Sequence, residues 1–221
     1  MSSAEEAYRQ LYAAIVDQRL SAGTRLTETA LAQILSSSRR QVDKALWCLS
    51  EQRLVQLRRN AGAWVAAPSF VEAREIYELR LILEAAVVRK LCVVLRPEGL
   101  KLLKQNLSAE ARAHQLGDQR TVIRLSGEFH IILARLSQSR ELERQVELLV
   151  ARTSLVTQLY ANPNALGCWH HQHDELLNML SRRDADRAAQ LMVQHLQELE
   201  SALRVDKPGS KHEELRRALL L

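Results

Sequence analysis

Two short segments of helical periodicity, Thr27 to Leu35 and Ser36 to Leu54, are joined by a serine-rich turn, and this pair constrains the fold more than any other feature. In the second segment one helical face is apolar, formed by Val42, Ala45, Leu46 and Leu49. Long polar side chains suited to base edges and phosphates stand near its start, namely Arg39, Arg40, Gln41 and Lys44. The first segment is expected to turn Leu31, Ile34 and Leu35 inward. Two such helices predict a helix-turn-helix.

The flanking sequence extends this motif. Residues 4–17 form a first amphipathic helix, and Thr27 is a plausible N-cap for the second. After the motif, two β-prone runs, 55–58 and 63–66, are separated by the turn Arg59-Asn60-Ala61-Gly62, which predicts a hairpin. A helix, a helix-turn-helix and a hairpin with a basic tip predict a winged helix-turn-helix domain over residues 1–67.

The remainder of the chain is helical in pattern almost to its end. We expect helices over 70–93, 97–115, 118–137, 140–160, 167–182 and 184–205, with Asp184 as the N-cap of the last. The stretch 207–221 is either a loose helical tail or a seventh helix. With only 7 Gly and 4 Pro, the chain is predicted to be mainly α, with an all-α bundle of six to seven helices over residues 68–221.

Charge and cysteine usage narrow the class of protein. The net charge of +5 permits a polyanionic partner, and residues 1–67 hold 9 Lys and Arg against 6 Asp and Glu, while the rest holds 22 against 20. Cys48, Cys92 and Cys168 form no metal or disulfide pattern, which favours a reducing compartment. No signal peptide pattern and no apolar run of about 20 residues is present. We expect a soluble cytoplasmic protein that does not enter membranes.

The stretch 14–65 resembles the DNA-binding domain of GntR-type bacterial repressors. The matching pieces are A-G-T-R-L-T-E (22–28), A-L-A (30–32), S-R-x-x-V-x-x-A-L (38–46) and G-A-W-V (62–65). The resemblance implies DNA contacts at the start of the second motif helix and at the wing, here Ser38, Arg39, Arg40, Gln41 and Gly62. Their position and charge add Lys44, Arg58 and Arg59 as candidates. The implied partner is a palindromic double-stranded operator bound by a homodimer.

Three positions depart from that family's pattern. Ala30 replaces the acidic residue that usually closes a capping box with Thr27, and Thr29 replaces an arginine. Asp43 also stands where an arginine is usual, and it would repel phosphate or accept from cytosine. We therefore expect an operator that differs from the family's common one.

Residues 70–203 resemble the all-α effector-binding domain of the FadR branch, the FCD type. The resemblance is carried by Glu78-Leu79-Arg80 with Glu84, E-F-H at 128–130, H-D-E-L-L at 173–177 and Q-H-L at 194–196. In that family an Asp and three His bind a metal ion in the centre of the bundle, and a small effector, often an organic acid, is bound there. The matching histidines are His130, His173 and His195, whereas Ser126 occupies the position of the Asp.

The chemistry of these residues leaves alternatives open. Three neutral imidazoles bind a divalent ion such as Zn or Ni, and without the Asp the centre would carry about +2 rather than +1, which favours an anionic ligand. Ser126 would either bond a metal-bound water or line a site without metal. Arg80 is either an anchor for an effector carboxylate or an ion-pair partner of Glu84. A histidine on an apolar helix face is, by itself, usually a hydrogen-bonded core residue.

Three functions fit these patterns. The leading hypothesis is a ligand-responsive transcriptional regulator whose bundle binds an effector through Arg80, Ser126 and the three histidines. The second is a hydrolase-like enzyme with a three-His metal centre, although the sequence places no general base near the histidines and leaves the winged domain unexplained. The third is a DNA-binding protein whose sensor domain has lost its metal.

Overall fold

The computed structural model describes residues 3–59, 61–161 and 170–204, and its first part is a winged helix-turn-helix. The elements in chain order are α1 (Ala4–Val16), β1 (Arg25–Leu26), α2 (Glu28–Ile34), α3 (Arg39–Glu51), β2 (Val55–Arg58) and β3 (Gly62–Val65). The predicted order of helix, helix-turn-helix and hairpin is confirmed. The hairpin turn includes Asn60, which lies outside the described residues.

Helix α3 begins where the sequence predicts. Ser38 accepts from the Gln41 backbone N–H at 3.3 Å, and the Gln41 side chain accepts from the Ser38 backbone N–H at 2.8 Å, so that a capping box closes the first turn. The four apolar residues of the predicted inner face are all buried. This face packs against α1 and α2 and fixes the orientation of the opposite, polar face.

A three-stranded antiparallel sheet forms the wing, in the order β1-β3-β2. Gly62 pairs with Arg58 at the tip and has φ +106°, a conformation in which a side chain would be strained. Strand β1 was not predicted, because two residues are too few for an alternating pattern.

Some predictions in this domain are wrong in detail. Ile34 is 76% exposed instead of buried, because α2 ends there after only two turns. Thr27 occupies the N-cap position of α2 but makes no side-chain cap bond, so not even half of the capping box forms. The second hairpin strand begins at Gly62, one residue before its predicted start.

The second part is an all-α bundle. Its helices are α4 (Phe70–Val94), α5 (Pro97–Gln115), α6 (Gln119–Leu136), α7 (Arg140–Tyr160), α8 (His170–Arg182) and α9 (Ala185–Ser201). The predicted ranges are confirmed to within a few residues where they are described, and Asp184 caps α9 by accepting from the Arg187 backbone N–H at 3.2 Å. The predictions for 167–169 and for the tail 207–221 fall outside the described residues.

Helix α4 lies at the centre of the bundle and packs against α6, α7, α8 and α9. Its first turn is closed by a second capping box, between Ser69 and Glu72. The core around it is formed by leucines and other large side chains from every bundle helix. Among the described helices, none is long and apolar enough to cross a membrane.

The winged domain packs directly on α7. Ala151 and Leu155 of α7 are buried within the apolar core of the winged domain. Gln18 donates to the Ser154 carbonyl at 3.1 Å, and the Gln158 side chain accepts from the Ala22 backbone N–H at 2.6 Å. One helix of the bundle therefore serves as the support of the DNA-binding domain.

Candidate functional site

Three histidines from three different helices meet in the centre of the bundle. His130 lies on α6, His173 on α8 and His195 on α9, and each is no more than 2% exposed. One nitrogen of each ring lies within 4.8 Å of the other two, and Nε2 of His173 is 3.2 Å from Nε2 of His195. The structure thus brings together the three residues that the sequence predicted as metal ligands.

An oxygen atom lies against the Nδ1 atom of each ring. His130 Nδ1 is 2.5 Å from Glu84 Oε2, His173 Nδ1 is 3.1 Å from Glu110 Oε2, and His195 Nδ1 is 2.8 Å from Gln172 Oε1. The amide of Gln172 is itself oriented, because its Nε2 donates to Glu198 at 2.6 Å. Since carboxylate and carbonyl oxygens accept, each Nδ1 carries a proton, and Nε2 is the nitrogen that can bind a metal ion.

The three Nε2 atoms then face one another. Among the described residues the buried His130 Nε2 has no hydrogen-bond partner, and His173 Nε2 forms a hydrogen bond with His195 Nε2 at 3.2 Å, in which one of the two nitrogens donates. Burial lowers the pKa of His130 to about 4, although Glu84 opposes the shift. Burial, with His173, His130 and Arg80 nearby, also lowers the pKa of His195 well below its usual value. The neutral forms of His130 and His195 are therefore favoured, and a neutral imidazole offers a nitrogen that a cation would satisfy.

The residues present fit a metal ion. Two nitrogens bound about 2.0–2.1 Å from a tetrahedral ion are about 3.3 Å apart, close to the His173–His195 distance. A second layer of carboxylate or carbonyl oxygens on Nδ1 is the usual support of metal-bound histidines. Glu84, Glu110 and Gln172 supply that layer here.

Arg80 forms the ion pair with Glu84 that was one of the two roles the sequence left open. Its Nε donates to Glu84 Oε1 at 2.7 Å and its Nη1 contacts Thr153 Oγ1 at 3.4 Å, while Nη2 is buried without a partner among the described residues. Burial alone would raise the pKa of Glu84, but the charge of Arg80 and the contact with His130 hold it well below its usual value. The ion pair is formed, and one guanidinium nitrogen stays available to an anion.

A cavity of about 280 Å³ opens on this cluster. Arg80, Ser126 and His130 line it, whereas His173 and His195 lie behind its wall. Apolar side chains from α6 and α7 form much of its remaining surface, and Tyr12 and Val16 of α1 close one side. The cavity is at the small end of the range for ligand sites, and part of its wall belongs to the DNA-binding domain.

The predicted DNA-contacting residues lie on one exposed part of the winged domain. Arg39, Arg40 and Lys44 are exposed on α3, as are Arg59 and Gly62 at the wing. The side chains of Ser38 and Gln41 bond each other in the capping box. Arg58 is also exposed and stacks 4.6 Å above the Trp64 ring. Trp64 therefore packs against Arg58, whereas Trp47 is 55% exposed.

Several residues of the site were missed from the sequence. Glu110 of α5 and Gln172 of α8 were not singled out, and Tyr12 was assigned to the DNA-binding domain alone. The sequence placed no general base near the histidines, but the structure brings two carboxylates into contact with them, Glu84 and Glu110. The sequence did contain a signal for Glu110. Asn106 and Glu110 are four residues apart and are polar positions on the otherwise apolar buried face of α5.

Comparison with known proteins gives a consistent result. Residues 3–65 match the family described as bacterial regulatory proteins, gntR family, and residues 75–198 match the FCD domain. The chain is a GntR-family transcriptional regulator with an FCD domain. Members of these families are regulators and not enzymes, which removes the hydrolase hypothesis.

Individual relatives agree with this assignment. The HTH-type transcriptional repressor RspR of Escherichia coli is 27% identical over 203 residues, 90% of this chain and 88% of RspR. The Nta operon transcriptional regulator of Aminobacter aminovorans is 28% identical over 79% of this chain and 82% of its own length. A GntR regulator from Rhodococcus sp. RHA1 has the same fold, with a TM-score of 0.80 at 24% identity over 90% of this chain and 95% of that one.

Proposed function

We propose that this GntR-family regulator is ligand-responsive: its bundle binds a small carboxylate effector with the help of a divalent metal ion, and effector binding changes its affinity for a palindromic operator. The ion would be held by Nε2 of His130, His173 and His195, with Zn or Ni as the expected metal. The observation that carries the proposal is the convergence of three buried imidazole nitrogens whose opposite nitrogens are all oriented by oxygen acceptors.

The residues around the cluster suit an anion. A bound divalent ion supplies positive charge and open positions for ligand oxygens. Arg80 adds a guanidinium nitrogen that has no partner in the part of the chain that the structure describes, and the Ser126 hydroxyl lies on the same cavity wall. A carboxylate that spans from the ion to Arg80 would satisfy both, and the apolar wall formed by Ile123, Ile131 and Val150 would accommodate its carbon skeleton.

Helix α7 supports the coupling of this cavity to DNA binding. Thr153 of α7 contacts Arg80, and the adjacent Ser154 accepts from Gln18 of the winged domain. Tyr12 of α1 lines the cavity itself. An effector that changes the position of Arg80 or contacts Tyr12 therefore acts on the support of the DNA-binding domain, and a ligand shifts an equilibrium when its affinity differs between two such arrangements.

An apolar surface on α4 supports the proposed homodimer. Four large side chains on one face of this helix point away from the core: Val71, Leu79, Ile82 and Val93, which are 48–75% exposed. Exposed apolar side chains on one helix face are found in protein–protein interfaces. A two-fold dimer would place two α3 helices about 34 Å apart, in successive major grooves of a palindromic site.

The test measures metal content and operator affinity on the same preparations. Protein purified without chelator or affinity metal is analysed by elemental analysis and native mass spectrometry, and we expect about one ion per chain. The double variant His173→Ala/His195→Ala should lose the ion, because two of three ligands are gone. His171→Ala, an exposed histidine on the same helix as His173, is the matched control and should keep it.

Operator affinity is then measured on a duplex that the protein selects from random-sequence DNA, with and without a panel of small mono- and dicarboxylates. At least one carboxylate should change the affinity of metal-loaded protein by about 5–150-fold and leave the double variant unaffected. Protein that contains no metal and takes up none at micromolar Zn or Ni would contradict the metal centre. A carboxylate response in that protein would show a sensor that works through Arg80 alone.

A further inference from the structure

One carboxylate next to the histidine cluster has no Lys or Arg against it in the described part of the chain. Glu110 lies on α5, which contributes none of the three histidines, and only 2% of its surface is exposed. Its Oε2 atom is 3.1 Å from His173 Nδ1, and among the described residues it forms no ion pair with Lys or Arg. A buried carboxylate is costly unless positive charge lies nearby.

Glu84 provides the contrast. It contacts the same cluster through His130, but Arg80 lies against it at 2.7 Å, so that this pair is neutral by itself. Among the described residues, Glu110 contacts the His173 imidazole, which balances its charge only when that ring is protonated. A metal ion at His173 Nε2, where one nitrogen from each of the three rings comes together, would balance it instead.

A divalent ion at that point would give the site a small net charge. The ion contributes +2 and Glu110 contributes −1, while the charges of Arg80 and Glu84 cancel. The metal centre with these residues would therefore carry +1. Ser126 adds no charge, and Glu110 is therefore the carboxylate that offsets the ion. Because its oxygen bonds Nδ1 of a ligand, it would also raise the basicity of His173 and fix the orientation of its ring.

We propose that Glu110 completes the metal centre of this protein from outside the ligand set, by orienting His173 through Nδ1 and by offsetting one charge of the bound ion. Glu110 is a positioning residue and not a ligand. The inference rests on the proposed metal site, and it assigns to α5 a role that none of the three ligand helices carries.

The test compares Zn affinity and thermal stability of Glu110→Gln with the wild type. Glutamine keeps the shape and an oxygen acceptor for His173 but removes the charge. Competition against a chromophoric chelator should show a loss of Zn affinity of about 10–100-fold. Glu128→Gln changes an exposed carboxylate on the same cavity wall and is the matched control, with affinity within about twofold of wild type.

Melting in chelator separates this role from a structural one. The rise in melting temperature on Zn addition, measured from the value in chelator, should be smaller for Glu110→Gln than for wild type, because the variant binds the ion less tightly. A lower melting temperature in chelator together with unchanged Zn affinity would overturn the inference and make Glu110 a structural residue.

The failure of the metal site and the failure of this inference are distinguishable. Wild-type protein that binds no Zn contradicts both, whereas wild-type binding that Glu110→Gln leaves intact contradicts the role of Glu110 alone. If Glu110→Gln does not fold, Glu110→Asp takes its place. Aspartate keeps the negative charge, but its side chain is one methylene shorter and holds the carboxylate further from His173. Reduced Zn affinity of a folded Glu110→Asp supports the inference, and wild-type affinity overturns it.

Discussion

The interior of the winged domain and the interior of the bundle differ in chemistry. In the winged domain every buried side chain among residues 3–59 and 61–67 is apolar. The buried charged and imidazole side chains of the described chain all lie in the bundle, on α4 to α9: Arg80, Glu84, Glu110, His130, Arg152, His173 and His195. The first domain presents its polar residues on its surface, and the second places them in its centre.

This difference shows where each domain performs its function. A DNA-binding surface needs exposed cations on a rigid support, and an apolar core stabilises that support without burying charges. A small ligand must be surrounded, so its recognition groups have to be buried, and buried charges stabilise a fold poorly even when paired. The bundle therefore gives up stability in its interior, where four buried polar atoms have no partner among the described residues, two of them in the histidine cluster.

The largest expected effect separates the two interiors by mutation. Glu84→Ala leaves Arg80 and the His130 Nδ1–H buried without their acceptor, and we expect the free energy of unfolding to fall by about 3–5 kcal/mol. The double variant Arg80→Met/Glu84→Leu should recover much of that loss, since no uncompensated charge remains. Denaturant unfolding in chelator measures both.

In the winged domain, a destabilising core substitution leaves no unpaired charge that a second substitution could remove to restore stability. Leu46→Ala, at a position 1% exposed, should cost about 2–5 kcal/mol through a cavity. If Arg80→Met/Glu84→Leu were as unstable as Glu84→Ala, the ion pair would be a structural element and the contrast between the two interiors would be broken.

The comparison also predicts a difference in pH dependence. The folded-state pKa of His130, about 4, lies below its usual value of about 6.5, so the unfolded chain binds the proton first as the pH falls. The stability of metal-free protein is then fully present above about pH 6.5 and is lost between about pH 6.5 and 4, by on the order of 3 kcal/mol from this residue. Glu84, whose pKa is lowered, adds a loss only below its usual value.

Denaturant unfolding between pH 7 and 4 in chelator measures this loss. His130→Gln should flatten the curve, and His171→Ala should leave it unchanged because that side chain is exposed. The winged domain contains no histidine and should not contribute to the loss of stability between about pH 6.5 and 4. An equally steep curve for His130→Gln would contradict a buried neutral imidazole at this position.

The winged domain could be predicted from the sequence almost completely. Its signals are local: the apolar face of α3 has helical spacing, Ser38 and Gln41 form a capping box three residues apart, and Gly62 marks the turn of the hairpin. The parts that failed are the ones without enough residues to show a pattern, such as the two-residue strand β1 and the exposed end of α2 at Ile34.

The bundle centre was predicted only in part. The histidines were found because a family resemblance marked their positions. Glu110 and Gln172 were missed because their role depends on which helices become neighbours in space, and no local pattern gives that. The place of Tyr12 in the cavity wall was missed for the same reason, since it depends on how the two domains pack.

The smallest effect concerns the surface of α3. Arg39 is exposed at the first position of this helix, where no described residue forms an ion pair with it. Arg39→Ala should weaken operator binding by about 1–3 kcal/mol if the guanidinium contacts a base, or lower the salt slope of binding by about one if it contacts phosphate. Fluorescence anisotropy with the selected operator at several salt concentrations distinguishes these outcomes.

Arg9→Ala, on the exposed face of α1, is the matched control, because it removes the same charge from the same domain outside the recognition helix. Both substitutions should change the free energy of unfolding by less than about 0.5 kcal/mol, since neither side chain is buried. Arg39→Ala would then lower function without lowering stability, whereas Glu84→Ala lowers both. Operator affinity and salt slope that stay at wild-type values would contradict the assignment of α3 as the recognition helix.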